Sequence, residues 1–456
     1  MRYTEFTGCS DDDVEHRSIK PKYYPCPQCN KKGKRKQVIR RRIFHVGALN
    51  RRTFIDASVG VYRAKCACCK YFQAQIPGVP YKGHYSYEVR NVVSNSLIRD
   101  RLPYRLVQDR MREDYRLELS LGYIHACFLW AHEQIHMEAY WQFVLSHFSG
   151  VLCIDEVHDS GRTILFATDP LADFTVSFKL VETNDQENMD AFLAWLKERG
   201  LKVEVAITDG SPLYKDSLQS YWKDIDHQLC IFHVIKEVNK LILDGVRQIK
   251  NRIARQGHKG RKKKRGRPTI KAQRQRARRA DMTRKAQAAF LWDHQYLIVR
   301  KQTQLSEKDQ QDLEKMFEIA PFLKVFRRFN QDFYRLFEQG ITKQQARYRR
   351  TRMANNTDYQ QNEFLAKALK KLNKAAFAHM IVFLEDEKIE RTNNHVERNN
   401  RAFRMLQKTR YKRRKNHTIE KALELFLYAR MLKHPLYGCT DEASLAQEKF
   451  SQKMAA

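Results

Sequence analysis

Residues 151–158 read Val-Leu-Cys-Ile-Asp-Glu-Val-His. The run is short, apolar and rich in β-branched residues, with Asp155 in its second half. Such a run predicts a buried central strand. A strand interior disfavours a carboxylate unless a cation or an ion partner meets it. Working outward, 163–167 and 174–181 predict two further strands, with Gly161 in the turn ahead of the first. A helix over 188–199 follows, then a strand over 202–208 that delivers Asp209 into Gly210-Ser211-Pro212. Beyond it the pattern predicts a helix over 214–222, a fifth strand near 225–231 and a helix over 234–251. Cys230-Ile-Phe-His233 lies at the junction of the last two. Cys-x-x-His is a possible metal pair, but no matching pair stands nearby, and a Cys and His packed at a strand end is the plainer role.

The whole chain has 456 residues, enough for several domains and a sizeable core. Its 85 Lys and Arg against 52 Asp and Glu give a formal charge of +33. That balance points to a polyanionic partner, nucleic acid first, because neutralising phosphates releases counterions. With no apolar run of about 18 residues, no membrane span is expected. The polar N-terminus, with Asp11–Asp13, does not resemble a signal peptide. The 10 cysteines are expected as thiols or metal ligands rather than disulfides.

Residues 1–20 show no periodicity and read as a loose tail. Residues 21–80 contain Cys26-Pro-Gln-Cys29 and Cys66-Ala-Cys-Cys69, with strand-like segments over 37–44 and 59–63 between them. Two such pairs make a tetrahedral thiolate site suited to Zn²⁺, so Cys26, Cys29, Cys66 and Cys69 predict a zinc ribbon with an enlarged hairpin. Cys68 stands as an alternative to Cys69 for the fourth ligand. Residues 81–148 turn helical: apolar positions over 87–100, a break at Leu102-Pro103, and Ser120 as an N-cap for a third helix through Trp130. Three short helices predict a helix-turn-helix, the third being the candidate reader of the major groove.

Residues 149–250 hold the first part of an α/β core, and 251–286 form the sharpest compositional shift in the chain. Arg261, Lys262, Lys263, Lys264, Arg265 and Arg267 lie there among almost no acids. Such a block does not bury itself and suits a solvated linker or a grip on phosphates. Gly266-Arg267-Pro268 resembles an AT-hook. Residues 287–388 read as an all-α insertion, and 389–435 as the closing helices of the core, followed by a tail over 436–456. Within the closing segment Glu397 falls about one turn into a helix, with Arg398, Asn400 and Arg401 beside it. The three arrayed there are candidates for holding DNA.

Asp155, Asp209 and Glu397 are far apart in sequence, yet the strand order allows them to meet at one sheet edge. Three carboxylates alone would raise one another's pKa. Two Mg²⁺ (or Mn²⁺) ions, about 3.5–4 Å apart in such sites, resolve the repulsion and flank a scissile phosphate. Three adjoining strands, a helix and a strand ending in Asp fit an RNase H-like mixed five-stranded sheet core interrupted by the insertion.

Through Ile154-Asp155-Glu156, Ile207-Thr-Asp209-Gly-Ser, residues 227–236 and Thr392-Asn-Asn-x-x-Glu397-Arg-x-Asn400-Arg401, the chain resembles a DDE transposase of the retroviral-integrase superfamily. It is similar to bacterial insertion-sequence transposases with a zinc ribbon and helix-turn-helix, and to the Mutator-like group. The latter carries Cys/Asp-x-x-His after the second catalytic Asp, matched here by Cys230 and His233. The resemblance implies that Asp155, Asp209 and Glu397 form the catalytic triad. It further implies double-stranded DNA partners (element ends and target), a homodimer or higher oligomer, and Mg²⁺-dependent cleavage with transfer of 3′-hydroxyls. The location expected is cytoplasmic, at the nucleoid, for a bacterial chain and nuclear for a eukaryotic one. Two other readings fit the same residues: a domesticated DNA-binding regulator without cleavage, and a structure-selective nuclease such as a resolvase.

Overall fold

The structure is a computed structural model. It describes residues 13–63, 71–159, 161–211, 213–256, 283–386, 389–392, 394–407 and 413–437. Two compact units emerge: one holds residues up to Phe148 and from Arg398 onward, the other Ser149–Glu397.

The first unit begins with strands β1 (Asp13–Ile19), β2 (Tyr23–Pro25), β3 (Lys32–His45), β4 (Thr53–Arg63) and β5 (Phe72–Gln73). They make one sheet in the order β1-β4-β3-β2, with β5 also on β4. β3 and β4 form the long antiparallel hairpin expected from the sequence, Ile43 opposite Ile55 and Ile39 opposite Val59. β1 departs from the loose tail expected there: it pairs in parallel with β4, Asp13 opposite Thr53 through Ile19 opposite Val59. Its sequence, DVEHRSI, is mostly polar and exposed, so backbone pairing orders it and no apolar alternation announces it. Ile43, Ile55, Val59, Tyr62, Phe72 and Ile76 build the core beneath this sheet.

Helices α1 (Tyr87–Ile98), α2 (Tyr104–Tyr115), α3 (Leu121–Glu133) and α4 (Met137–His147) follow. Ser86 and Ser120 cap α1 and α3, each side-chain oxygen accepting a backbone N–H from the first turn. α3 carries no lysine or arginine and buries Ile124, Cys127 and Phe128, a composition for packing more than for groove reading. The last helix, α16 (Asn416–Met431), adds Ala422 and Leu425 to the same core as Val89, Val93, Val107 and Phe128. The sequence had assigned this helix to the closing part of the α/β core. Its apolar side instead completes the helical cluster, and Glu424 bonds His132 on α3.

The second unit is built on β6 (Val151–Asp159), β7 (Arg162–Asp169), β8 (Phe174–Val181), β9 (Val205–Thr208) and β10 (Asp226–Leu229). The sheet order is β10-β9-β6-β7-β8, with β6 central. β6, β7 and β8 are an antiparallel meander. α5 (Gln186–Glu198) and α6 (Lys215–Tyr221) return the chain so that β9 and β10 run parallel to β6, as short crossovers require.

α7 (Ile231–Gln256) leaves the sheet, burying Val234, Val238, Ile242 and Val246. The helical region continues with α8 over 283–293, α9 (Glu307–Ile319), α10 (Leu323–Arg335), α11 (Lys343–Ala354), α12 (Thr357–Gln361), α13 (Glu363–Lys371) and α14 (Lys374–Met380). Gly245 lets this bundle close: a Cβ there would stand 2.4 Å from the Phe326 ring. α15 (Asn394–Gln407) then begins in this unit, carrying Glu397 in its first turn. No described helix is long and apolar enough to cross a membrane.

Candidate active site

The parallel strands end together. Cys153 on β6 pairs with Ile207 on β9, so two residues further on Asp155 and Asp209 stand on neighbouring chains, about 4.8 Å apart in strand spacing. Asp209 leaves β9 in a turn that its own carboxylate fixes, Oδ1 accepting the Ser211 N–H at 2.8 Å. One chain further out, the Cys230 N–H donates to the Thr208 carbonyl at 2.8 Å, which sets Cys230 beside Asp209 and starts α7. His233 is therefore in the first turn of α7. The Ile231 N–H donates to the Arg391 carbonyl at 2.9 Å, so the chain returning from the helical region is stitched to this same end of the sheet just before α15.

Four acids result. One oxygen each of Asp155, Glu156 and Asp209 lies within 4.8 Å of the other two. Glu397 sits 4.0 Å from His233 Nε2 and is close enough to act on Asp155. Burial, and then the charges of Glu156, Asp209 and Glu397, push the Asp155 carboxyl up to about 7. Desolvation disfavours the charged form, and crowded carboxylates raise one another further. The donor set is all hard oxygen, the type that Mg²⁺ and Mn²⁺ take, so the residues fit the expected ions. His233 is held above its usual range by the adjacent Cys230 thiol, and further by Asp209 and Glu397.

Glu156, the next residue on β6, has a different setting from Asp155. The buried Tyr214 hydroxyl donates to its Oε2, and Asn184 Nδ2 donates to its Oε1 at 3.0 Å. Asp169 is fully buried and accepts from the Ser149 N–H and hydroxyl and from the Leu171 and Ala172 N–H groups. Asp159 sits at the far end of β6, opposite Arg162.

Other predicted site residues scatter. Arg398 and Arg401 are exposed on α15, whereas Asn400 is 3% exposed and offers no amide to a surface ligand. The spacing had put all three on one solvated helix, but α15 buries His395, Val396, Asn399, Asn400 and Phe403. Arg261, Lys262, Lys263, Lys264, Arg265 and Arg267 lie outside the described residues, as do Cys66 and Cys69.

Cys26 and Cys29 occupy a tight turn: Cys26 N–H donates to Lys31 O and its carbonyl accepts Asn30 N–H, both at 2.9 Å. Asn30 takes the left-handed φ of 58°. Lys34 pairs with both Tyr23 and Arg63, so this turn and the end of β4 share one end of the sheet. One feature the sequence reading passed over is the basic run on β3, where Lys32, Lys34, Arg35, Lys36 and Arg40 are all exposed.

A family model described as transposase, of the DDE-type ISL3 group, matches residues 152–414, more than half of the chain. Among solved structures, the Drosophila P element transposase strand transfer complex is similar at 10% identity and a TM-score of 0.38. That match covers 75% of this chain and 91% of the other. No curated protein matches the sequence.

Proposed function

The chain belongs to the ISL3 family of transposases, and from that premise we propose that it binds the terminal inverted repeats of its element, cuts there and joins the freed 3′-hydroxyls to target DNA. The observation that supports this reading is the cluster of Asp155, Glu156 and Asp209 at one end of a mixed sheet, with Glu397 4.0 Å from His233 and Asp155 pushed up to about 7 by burial and by the acids around it. We read that sheet as RNase H-like from its strand order.

Asp155, Asp209 and Glu397 would hold the divalent ions. When bound, such ions make the attacking oxygen more acidic and stabilise the leaving oxygen of a phosphodiester. The chain's own contribution is geometry and charge. The strand register fixes Asp155 beside Asp209, the Ser211 N–H orients the Asp209 carboxylate, and α15 brings Glu397 from the far end of the helical region. Asp155 must give up its proton before it can ligate. His233 lies 4.0 Å from Glu397, and Asp209 and Glu397 both favour its protonated form.

DNA holding falls to the exposed cations of α15, Arg398 and Arg401, and of β3, and to the basic tract that includes Arg261–Arg265. We read the Cys26–Asn30 turn as one half of a Zn²⁺ site completed by Cys66 and Cys69, with Cys68 as the alternative fourth ligand. The three-helix array α1–α3 is the corresponding reading for the helix-turn-helix. Joining two ends in one event calls for at least a dimer.

A DNA fragment carrying the inverted repeats that bracket the gene tests this directly. Mg²⁺ should produce nicks at the repeat termini and joined products with a target plasmid. Binding to the repeats without any Mg²⁺-dependent nick would favour the regulator reading instead.

A further inference from the structure

The solvent side of α7 carries cations and apolar residues together. Phe232, Lys236, Lys240, Leu243, Arg247 and Lys250 follow at steps of three or four residues, so they form one stripe. Phe232, Lys236, Asn239, Lys240, Leu243 and Tyr296 line an open cleft of about 440 Å³ against this stripe. Its two aromatic rings are open to solvent, Phe232 being 42% and Tyr296 62% exposed. The acid in its lining, Asp244, is taken by Arg247 at 2.7 Å, which leaves Lys236 and Lys240 to set the charge of the rim. Further along, Trp292 already carries the chain's own cations, Arg247 at 5.7 Å and Lys250 at 4.9 Å from its ring centre. The cleft is also next to the carboxylates: Phe232 precedes His233, which lies 4.0 Å from Glu397.

We infer that this cleft is a stacking platform for unpaired bases of the DNA strand held at the carboxylate site. Exposed aromatic faces take any base by stacking, and ammonium groups beside them meet the phosphates between successive bases. A duplex hides its base faces, so an apolar cleft with a lysine rim is complementary to a melted or single-stranded segment. Phe232 is the first ring such a strand meets on leaving the acids along α7. The inference rests on the reading of the chain as a DNA-handling enzyme, though not on its cleaving DNA.

The test uses full-length protein bearing Asp209→Ala and no divalent ion. Single-stranded oligonucleotides containing 2-aminopurine are titrated at raised salt, where phosphate contacts weaken and stacking stands out. Phe232→Ala and Tyr296→Ala should each weaken single-strand binding by about 5- to 150-fold and abolish the stacking signal, with duplex affinity unchanged. Phe232→Tyr and Tyr296→Trp should keep both. Phe322→Ala removes a ring that is 72% exposed and outside the cleft, and it should change nothing. Wild-type single-strand affinity in the two alanine variants, or an equal loss on duplex and single strand, would overturn the platform. Either result would leave the cleavage reading standing, since that depends on Mg²⁺-dependent nicking by the unmutated protein.

Discussion

His395 Nε2 lies 2.5 Å from Asp173 Oδ1, joining residues 222 positions apart. His395 is 1% exposed and sits two residues before Glu397 in α15, while Asp173 holds a left-handed φ of 57° in the β7–β8 turn. The bond therefore pins the start of the helix that presents Glu397 to the rigid meander carrying Asp155. His395 acts through Glu397 and is a positioning residue. His395→Ala and Asp173→Ala should each raise the Mg²⁺ concentration needed for half-maximal nicking by about 10- to 100-fold. DNA binding should be retained. Unchanged Mg²⁺ dependence in both variants would show that α15 is held in place without this bond.

The raised Asp155 pKa gives a pH dependence with a definite sign. In the folded, metal-free chain the carboxyl titrates at about 7, against about 3.9 unfolded. Between those values only the folded state holds the proton, so stability falls as pH rises from about 4 to about 7, by up to about 1.4 kcal/mol per unit. Asp155→Asn should thus raise the unfolding midpoint at pH 8 in chelator and leave it nearly unchanged at pH 4. The same proton competes with metal: below pH 7, Mg²⁺ affinity should weaken by about tenfold per unit. A flat affinity from pH 5 to 8, measured calorimetrically, would contradict the assignment.

The Cys26–Asn30 turn predicts bound metal in the first unit. Purified protein should carry about one Zn²⁺ per chain. Cys26→Ser or Cys29→Ser should release it and lower thermal stability. Cys127→Ser, a buried thiol of the helical core, should keep it. Elemental analysis decides, and full zinc occupancy in Cys29→Ser would rule out that ligand set.

Much of the second unit was legible because its signals are local. The apolar run from Val151 marks β6, and a strand ending directly in Asp209-Gly-Ser marks β9, so the pairing of these two acids followed from order alone. The contacts that finish the site are not local. Nothing near His395 announces Asp173, and nothing near Glu156 announces Tyr214 and Asn184, because each partner arrives through tertiary packing. β1 escaped notice because backbone pairing with β4 orders a polar segment. α16 was assigned to the wrong neighbour because amphipathic spacing says that a face is buried, not against what. Asn400 shows the same limit: helical spacing set it beside exposed arginines, yet it is buried.

Which acid completes the metal site is the question on which the catalytic account turns. Glu156 is nearer to Asp155 in sequence and clusters with it and Asp209, but Tyr214 and Asn184 occupy its oxygens. Glu397 meets His233 at the open end of the strands. Mg²⁺-dependent nicking of repeat-end DNA should therefore be compared between Glu397→Gln and Glu156→Gln at matched DNA occupancy. The account predicts a loss of at least about a hundredfold for Glu397→Gln and a clearly smaller one for Glu156→Gln. Near-normal nicking by Glu397→Gln, with activity abolished in Glu156→Gln, would contradict it.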